Sequence, residues 1–252
     1  MIIDITSYLG RWPYWGNPYD EESGDKLVEL MDKWRINKSL VIALRGILYN
    51  DREGNDVTFA ASKRHPDRLI ATATVNPVTQ KDCAVYVNKC IERGAKMIRL
   101  YPFYHGYKLD NDAYALNQIV EQATKLSCPI CIPIRIFMNW GQASLVSENV
   151  ISFINGHPDT TFIVDTFNYS EFYPMLKLAK ENEKVYLGTS TLTMYTGIEI
   201  MVESIGFNRI MLGTAAPLQY PSCGIVKIKN AEINVESIEN ILSSNAVKLF
   251  KL

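Results

Sequence analysis

Apolar residues recur along the chain in short continuous or alternating runs, and amphipathic stretches separate these runs. Apolar runs of this length are typical of buried parallel β-strands. The predicted strands are residues 2–8, 39–45, 68–75, 95–101, 129–135, 161–166, 184–190 and 209–215. Between them, apolar residues at spacings of three and four predict helices with one buried face. One such series is Leu27, Leu30, Met31 and Trp34.

Eight strand–helix units in 252 residues predict a single domain, residues 1–252, with the (β/α)8 or TIM barrel fold. Gly94, Gly156 and Gly206 each stand shortly before a strand, where a helix commonly ends. The connections after the strands are longer than those before them, so function is expected at the carboxyl-terminal end of the barrel. An open doubly wound sheet is the alternative, but no glycine-rich phosphate loop follows the first strand.

Composition narrows the range of partners. The net charge is -1 and no basic patch stands out, so no nucleic acid is expected. No apolar run approaches the roughly 20 residues of a membrane helix. Residues 1–10 show no signal-peptide pattern, and the odd number of cysteines, five, favours reduced thiols and a cytoplasmic location. Cys128 and Cys131 have CxxC spacing, but within a predicted strand, so we expect buried core cysteines there.

Alternation along each strand predicts which side chains enter the barrel. On the first strand, Asp4, Thr6 and Tyr8 share one face. The same reasoning gives inward positions on other strands, namely Val41, Ala43, Arg45, Met97, Arg99, Tyr101, Cys131, Pro133, Arg135, Thr166 and Ala215. On the second, fourth and fifth strands either face is open to this choice, and a bulge would reverse it.

Several segments share one family pattern. "IIDITSYLGRWP" matches Ile-Asp-x-His-x-His-Leu-Gly except at the histidines, and "GAKMIRLYPFYHGYKLDN" matches a Gly-x-Arg-Leu-x-Pro stretch followed by His-Gly-Tyr. "NRIMLGTAAPL" is similar to Arg-x-x-x-Gly-Ser-Asp-x-Pro, and "ILSSNAVKLFKL" to a closing Ile-Leu-x-x-Asn-Ala-x-x-Leu-Phe. The chain thus resembles the amidohydrolase superfamily, in particular the amidohydrolase-related group of metal-dependent hydrolases, decarboxylases and lactonases. The resemblance implies a TIM barrel over nearly the whole chain.

The resemblance also implies a divalent metal, held by His-x-His on the first strand, one histidine each on the fifth and sixth strands, and an aspartate on the eighth. The corresponding residues are Thr6, Tyr8, Pro133, Thr166 (Asp165 if the register slips by one) and Ala215. Of the three histidines, His65 and His157 precede strands and only His105 follows one. We therefore expect that the metal site is lost and that no cofactor is bound.

Four arginines near strand ends remain as candidate ligand-binding residues, namely Arg11, Arg45, Arg99 and Arg135. Guanidinium groups suit carboxylate or phosphate, so a small anionic molecule is one expected partner. The alternative is that each arginine pairs with a nearby acid or reaches solvent.

Aromatic residues crowd the same end, and we expect either a ligand wall that includes Tyr8 and Trp12 or simple packing. The wider set is Tyr8, Trp12, Tyr14, Trp15, Tyr101, Phe103, Tyr104, Tyr107 and Trp140. The candidate catalytic residues are Asp165, His105 and Tyr101, as acid–base groups. No Ser-His-Asp pattern supports a nucleophile.

Four functions remain open. The leading hypothesis is a barrel that binds a small anion, carboxylate or phosphate, at its mouth without metal-dependent hydrolysis. The second is a metal-independent hydrolase, lactonase or decarboxylase-like enzyme that uses arginine with tyrosine or Asp165. The third is a non-catalytic partner subunit, and the fourth is a hydrolase with unusual metal ligands. Barrels of this group often form dimers, so the resemblance also implies a possible homodimer.

Overall fold

Eight parallel strands follow one another along the chain in a computed structural model, which describes residues 1–13, 16, 18–136 and 144–252. The strands are β1 (Ile3–Leu9), β2 (Lys38–Ala43), β3 (Leu69–Ala71, continued as Ala73–Thr74), β4 (Ile98–Arg99), β5 (Ile130–Pro133), β6 (Phe162–Asp165), β7 (Val185–Gly188) and β8 (Ile210–Met211). Each pairs in parallel with the next, as the sequence predicts. Thr72 joins the two parts of β3, because its N–H donates to the carbonyl of Val41 at 3.0 Å.

The last strand returns to the first and closes the barrel. The N–H of Ile5 donates to Leu212 O at 2.9 Å, and the N–H of Tyr8 donates to Ala216 O at 2.7 Å. Closure leaves no exposed sheet edge along these strands. The predicted (β/α)8 barrel is therefore confirmed.

One principal helix follows each strand and packs on the outside of the barrel. The helices are α1 (Asp25–Lys33), α2 (Asp51–Arg64), α3 (Cys83–Glu92), α4 (Tyr114–Lys125), α5 (Ser147–Asn155), α6 (Phe172–Glu181), α7 (Gly197–Ile205) and α8 (Pro221–Lys229). Shorter helical segments are Leu44–Leu48, Pro102–His105, Tyr169–Glu171, Phe207–Arg209, Val235–Glu239, Asn240–Ser244 and Asn245–Phe250. In the described part of the chain, no helix is both long enough and apolar enough to cross a membrane.

Local sequence explains where some helices begin. The side chain of Asn50 accepts the N–H groups of Arg52 and Glu53 at the start of α2. Asp82 caps α3 in the same way by accepting the N–H of Val85. Side-chain caps of this kind contribute about 1 kcal/mol each, because they satisfy donors that have no partner within the helix.

The barrel interior is divided into two layers. The lower layer is apolar and consists of Ile3, Ile5, Leu40, Met97, Cys131, Ile163, Met211, Ala246 and Phe250. The upper layer lies at the carboxyl ends of the strands and consists of Tyr8, Trp12, Ile42, Leu44, Ile47, Tyr101, Ile136, Ala215 and Leu218. Cys128 and Cys131 are both buried free thiols, as expected of core cysteines.

The alternation predicted for β1 is interrupted. Its pairing with β2 shifts register between Asp4 and Ser7. Ile3 and Ile5 pack in the lower layer, so Asp4 between them points away from it. The shift then turns Thr6 inward. The prediction that Asp4, Thr6 and Tyr8 share one face is wrong at Asp4.

The predicted strand over residues 39–45 is also wrong in its inward face and at its end. Leu40 and Ile42 lie in the interior layers, whereas Val41 and Ala43 pack in the outer core with the helices. The strand β2 stops at Ala43, and a short helix, Leu44–Leu48, begins at once. Leu44 and Ile47 both turn into the upper apolar layer. Arg45 consequently lies on a helix and not at a strand end.

Candidate functional site

Asp165 is the last residue of β6, and its carboxylate lies at the carboxyl-terminal end of the barrel. It is fully buried. It accepts hydrogen bonds from the hydroxyls of Thr6 and Ser190, each at 2.6 Å, and from the N–H of Ser190 at 3.2 Å. The next strand comes very close, since a Cβ atom at Gly188 would stand 2.3 Å from Asp165 Oδ1. Both carboxylate oxygens are therefore engaged by the chain itself.

Arg99 ends β4, and its guanidinium is fully buried inside the barrel. Nη2 donates to Ile5 O at 2.6 Å, and Nε donates to Thr72 Oγ1 at 3.1 Å. Thr6 Oγ1 lies 3.4 Å from both Nη1 and Nη2. No carboxylate in the described ranges comes within 4 Å of this cation. Thr6 therefore connects the buried cation to the Asp165 carboxylate, which compensates its charge from a distance.

Asp4 forms a second buried carboxyl centre, on the side of β1 that faces the start of the loop after β8. Its oxygens accept the N–H groups of Thr6 and Thr214, each at 2.9 Å, and the hydroxyls of Ser7 and Thr214. Burial raises the pKa of Asp4 to about 6, although these hydrogen bonds lower it in part. Desolvation of the charged form outweighs four donors here.

Three large aromatic side chains close the mouth of the barrel. Tyr8, Trp12 and Tyr101 are exposed by 1%, 1% and 2%, respectively. The hydroxyl of Tyr8 donates to Ile136 O at 2.8 Å, and this hydrogen bond satisfies its polar end. These three side chains therefore pack against one another, which is the alternative to a ligand wall that the sequence left open.

His105 lies at the end of the short helix Pro102–His105. Its Nε2 atom is 3.1 Å from Gly46 O, and its ring packs 6.2 Å from Tyr101 and 6.3 Å from Tyr107. Burial lowers the pKa of His105 below its ordinary value, against the opposing effect of the Gly46 carbonyl. The hydrogen bonds of the described residues join His105 to Gly46 and not to Asp165, so the three catalytic candidates do not form one hydrogen-bonded set.

Two of the candidate arginines are already paired with acids. Arg45 binds Glu22 at 3.0 Å and Glu53 at 3.4 Å on the surface of the barrel. Arg135 is buried and binds Glu171 at 2.6 Å. Both residues are therefore paired with acids, as the alternative prediction expected. The structure does not bring the arginines together around a common ligand position.

The other rim candidates have varied surroundings. Arg11 is exposed, and Phe103 is 55% exposed. Tyr14, Trp15 and Trp140 fall outside the residues that the structure describes.

A cavity of about 360 Å³ opens at the same end of the barrel, between the loop after β7 and helix α8. Lys227 of α8 lines it, and its Nζ donates to Thr189 O at 2.6 Å and Leu192 O at 2.8 Å. Burial lowers the pKa of Lys227 to about 8. Sequence reasoning missed this residue; the available signal was a lysine between Ile225 and Ile228, both buried on α8.

The model of the family described as amidohydrolase matches residues 47–252. The chain belongs to the amidohydrolase family. No curated protein matches the sequence. The family assignment agrees with the resemblance in the strand-end motifs.

Solved structures with the same fold include several decarboxylases. 2,6-Dihydroxybenzoate decarboxylase from Rhizobium has a TM-score of 0.73 and 14% identity, with 99% of this chain and 98% of that chain covered. 5-Carboxyvanillate decarboxylase from Sphingomonas paucimobilis has a TM-score of 0.76 and 13% identity, with 100% and 99% covered. A dihydroxybenzoic acid decarboxylase from Polaromonas, solved with manganese and 2-nitroresorcinol, has a TM-score of 0.75 and 15% identity, with 100% and 97% covered. At these identities the likeness shows the TIM barrel fold.

The resemblance in the strand-end motifs assigns the family's metal positions to Thr6, Tyr8, Pro133, Thr166 (or Asp165) and Ala215. Within the described ranges, no group of three or more histidine, cysteine, aspartate and glutamate side chains is placed to hold a metal ion. Hydroxyl, proline and alanine side chains do not fit the imidazole and carboxylate set that the resemblance implies, and the Asp165 carboxylate is engaged by Thr6 and Ser190.

Two of these positions have an unusual backbone conformation. Thr166 and Ala215 adopt φ values of 58° and 55°, in the left-handed region. This conformation is unusual for a residue with a side chain, above all for a β-branched one, and such strain concentrates at functional sites. The Thr166 hydroxyl is used locally, since it donates to Arg135 O at 2.5 Å.

Proposed function

We propose that this amidohydrolase-family barrel has lost its divalent-metal site and binds a small anionic molecule at its carboxyl-terminal end, without metal-dependent hydrolysis. The observation that carries the proposal is the donor set at the family's metal positions. The strand ends that would supply histidine and aspartate supply hydroxyl, proline and methyl groups instead. Asp165, the acid nearest these positions in sequence, has both oxygens engaged by Thr6 and Ser190.

Two buried or half-buried cations at this end support an anionic ligand. Arg99 and Lys227 are held by carbonyl and hydroxyl oxygens, and in the described ranges no acid lies within ion-pair distance of either. Asp165 attracts both charges from further away. One carboxylate facing two cations leaves a local field that favours a further anion.

The structural neighbours suggest which class of anion to test. The structural neighbours named above are decarboxylases of aromatic carboxylates. An organic carboxylate is therefore the first ligand class to test, with phosphate as the second. Hydrolysis or decarboxylation without a metal is less well supported, because Asp165 and His105 share no hydrogen bond.

A non-catalytic partner subunit is a second candidate. The specific observation in its favour is the mouth that Tyr8, Trp12 and Tyr101 fill. A barrel closed in this way keeps the fold of an enzyme while it denies a substrate access to the barrel axis. Binding of an active homologue, with no response to any small anion, would support this candidate.

Elemental analysis of protein purified without chelators tests the metal part of the proposal, with zinc and manganese added back. We expect far less than one metal ion per chain and no gain in Tm from either metal. A thermal-shift screen of acetate, benzoate and phosphate tests the anion part, since a ligand at about 100 times its Kd stabilises by about 2.7 kcal/mol. One tightly bound metal per chain would contradict the first part, and no response to any anion would contradict the second.

A further inference from the structure

The cavity beside β7 and β8 has the dimensions and position of a ligand site. Its volume is about 360 Å³, within the range of small-molecule pockets. One wall is residues 190–199, which end in the first turn of α7. The other consists of Gln219, Cys223, Gly224, Lys227, Asn230 and Ala231, on and around α8. In TIM barrels, the loops after the seventh and eighth strands frequently take part in a phosphate-binding site.

Lys227 gives this cavity its cationic group. Two of the three N–H bonds of its ammonium group are taken by Thr189 O and Leu192 O. Those carbonyls belong to the loop after β7, so they fix the end of a flexible side chain and lower the entropic cost of binding. Within the described part of the chain, the third N–H bond has no acceptor, and it remains for a ligand.

The remaining lining limits the charge and shape of that ligand. Glu199 also lines the cavity, and its Oε1 accepts the N–H of Glu232 at 2.9 Å. A lining that holds one lysine and one glutamate suits a single negative charge better than the dianion of phosphate. Met194, Ile198 and Ala231 add apolar side chains to the lining. A carboxylate carried on a short apolar body matches both features.

We propose that this cavity binds a small monocarboxylate, with Lys227 donating to the carboxylate and the apolar side chains of the lining covering the rest of the molecule. The inference rests on the proposed function and gives it a location that differs from the arginines and from the aromatic mouth. Gln219 and Asn230, which also line the cavity, supply further hydrogen-bonding groups at its edge.

Cys223 provides a reporter for occupancy. It is exposed and lines the cavity one helical turn before Lys227, whereas the other cysteines of the chain, Cys83, Cys90, Cys128 and Cys131, are buried. The rate at which iodoacetamide alkylates Cys223, measured from the mass of the intact protein, therefore reports how accessible this wall is. We expect benzoate at about ten times its Kd to slow the labelling of Cys223 roughly tenfold, by mass action. Benzamide, which has the same shape and no charge, should not slow it.

Two variants on α8 test the anchor. Lys227→Gln removes the ammonium group, and Lys229→Gln removes an exposed lysine on the same helix. We expect benzoate protection of Cys223 to be lost in K227Q and retained in K229Q. If K227Q fails to fold, the comparison of benzoate with benzamide on the unmodified protein decides the question alone.

The outcomes separate this inference from the proposed function. A rise in Tm with benzoate but unchanged labelling of Cys223 would overturn the cavity and leave anion binding at the barrel end intact. Equal protection by benzoate and benzamide would overturn recognition of charge by Lys227. No response of Tm or labelling to acetate, benzoate or phosphate would overturn both proposals.

Discussion

Replacing Asp4 by asparagine tests how the barrel tolerates a buried charge. Oδ1 of Asp4 accepts two N–H groups, and Oδ2 accepts the hydroxyls of Ser7 and Thr214. Asparagine has nearly the same shape and carries no charge. The two hydroxyls can turn to accept from the new NH2 group, because a hydroxyl is both donor and acceptor. Asp4→Asn therefore removes the charge while it keeps most of the hydrogen bonds.

The sign of the effect follows from the raised pKa of Asp4, which is about 6 against an ordinary value of 3.8. Between these values the folded chain binds more protons than the unfolded chain, so the free energy of unfolding falls as the pH rises. The stability that the protonated Asp4 carboxyl contributes is complete below pH 3.8 and is lost once the pH passes 6. A difference of about two pKa units corresponds to about 3 kcal/mol at neutral pH. Asp4→Asn should recover this free energy at neutral pH, less about 1 kcal/mol for the altered hydrogen bonds.

Urea unfolding of D4N and the unmodified protein at pH 5 and pH 7 measures the effect. We expect the stability of D4N relative to the unmodified protein to rise by about 1.3 kcal/mol between these two pH values. Asp4→Ala is the control, because it leaves the donors of Thr6 and Thr214 buried without an acceptor and should destabilise at both pH values. A stability difference between D4N and the unmodified protein that does not change with pH would refute the reasoning.

Three further predictions concern a buried ion pair, a helix contact and the lysine of the cavity. Arg135→Met should lower the free energy of unfolding by about 3–5 kcal/mol, because it leaves the Glu171 carboxylate buried without its cation. In a double-mutant cycle, adding Glu171→Gln to this variant should cause a much smaller further loss. Gly54→Ala should lower Tm by several degrees or prevent folding, since its Cβ would stand 2.0 Å from the backbone nitrogen of Gly46. Benzoate affinity measured by calorimetry should stay level below about pH 8 and fall roughly tenfold per pH unit above it, as Lys227 loses its proton; equal affinity at pH 7 and pH 10 would contradict this.

The fold could be predicted because barrel strands are buried on both faces and read as apolar runs. All eight predicted strands exist, and Met97 and Cys131 both point into the barrel as expected. Two of the errors have local causes. The register shift after Asp4 leaves no mark in an apolar–polar pattern, and the helix at Arg45 begins among apolar residues that suit a strand equally well.

The candidate site was predicted less completely, because its contacts join residues far apart in sequence. Alternation correctly directed Thr6, Arg99 and Tyr101 toward the interior. It could not show that Arg135 would meet Glu171, 36 residues away, since that contact depends on how β5 and β6 end. Lys227 was missed because a single lysine on an amphipathic helix is usually solvated.

The interior contacts explain why a ligand site would lie beside the barrel axis. The resemblance assigns a metal-ligand position to Thr6, yet the hydroxyl of Thr6 joins Arg99 to Asp165. Protein groups thus supply hydrogen bonds to Arg99 and Asp165 on the axis, and Tyr8 and Trp12 cover both side chains with an apolar layer. A ligand on the axis would have to break these hydrogen bonds before it formed any of its own. At Lys227 a ligand needs only the one remaining N–H bond, so the free energy of binding favours the side cavity.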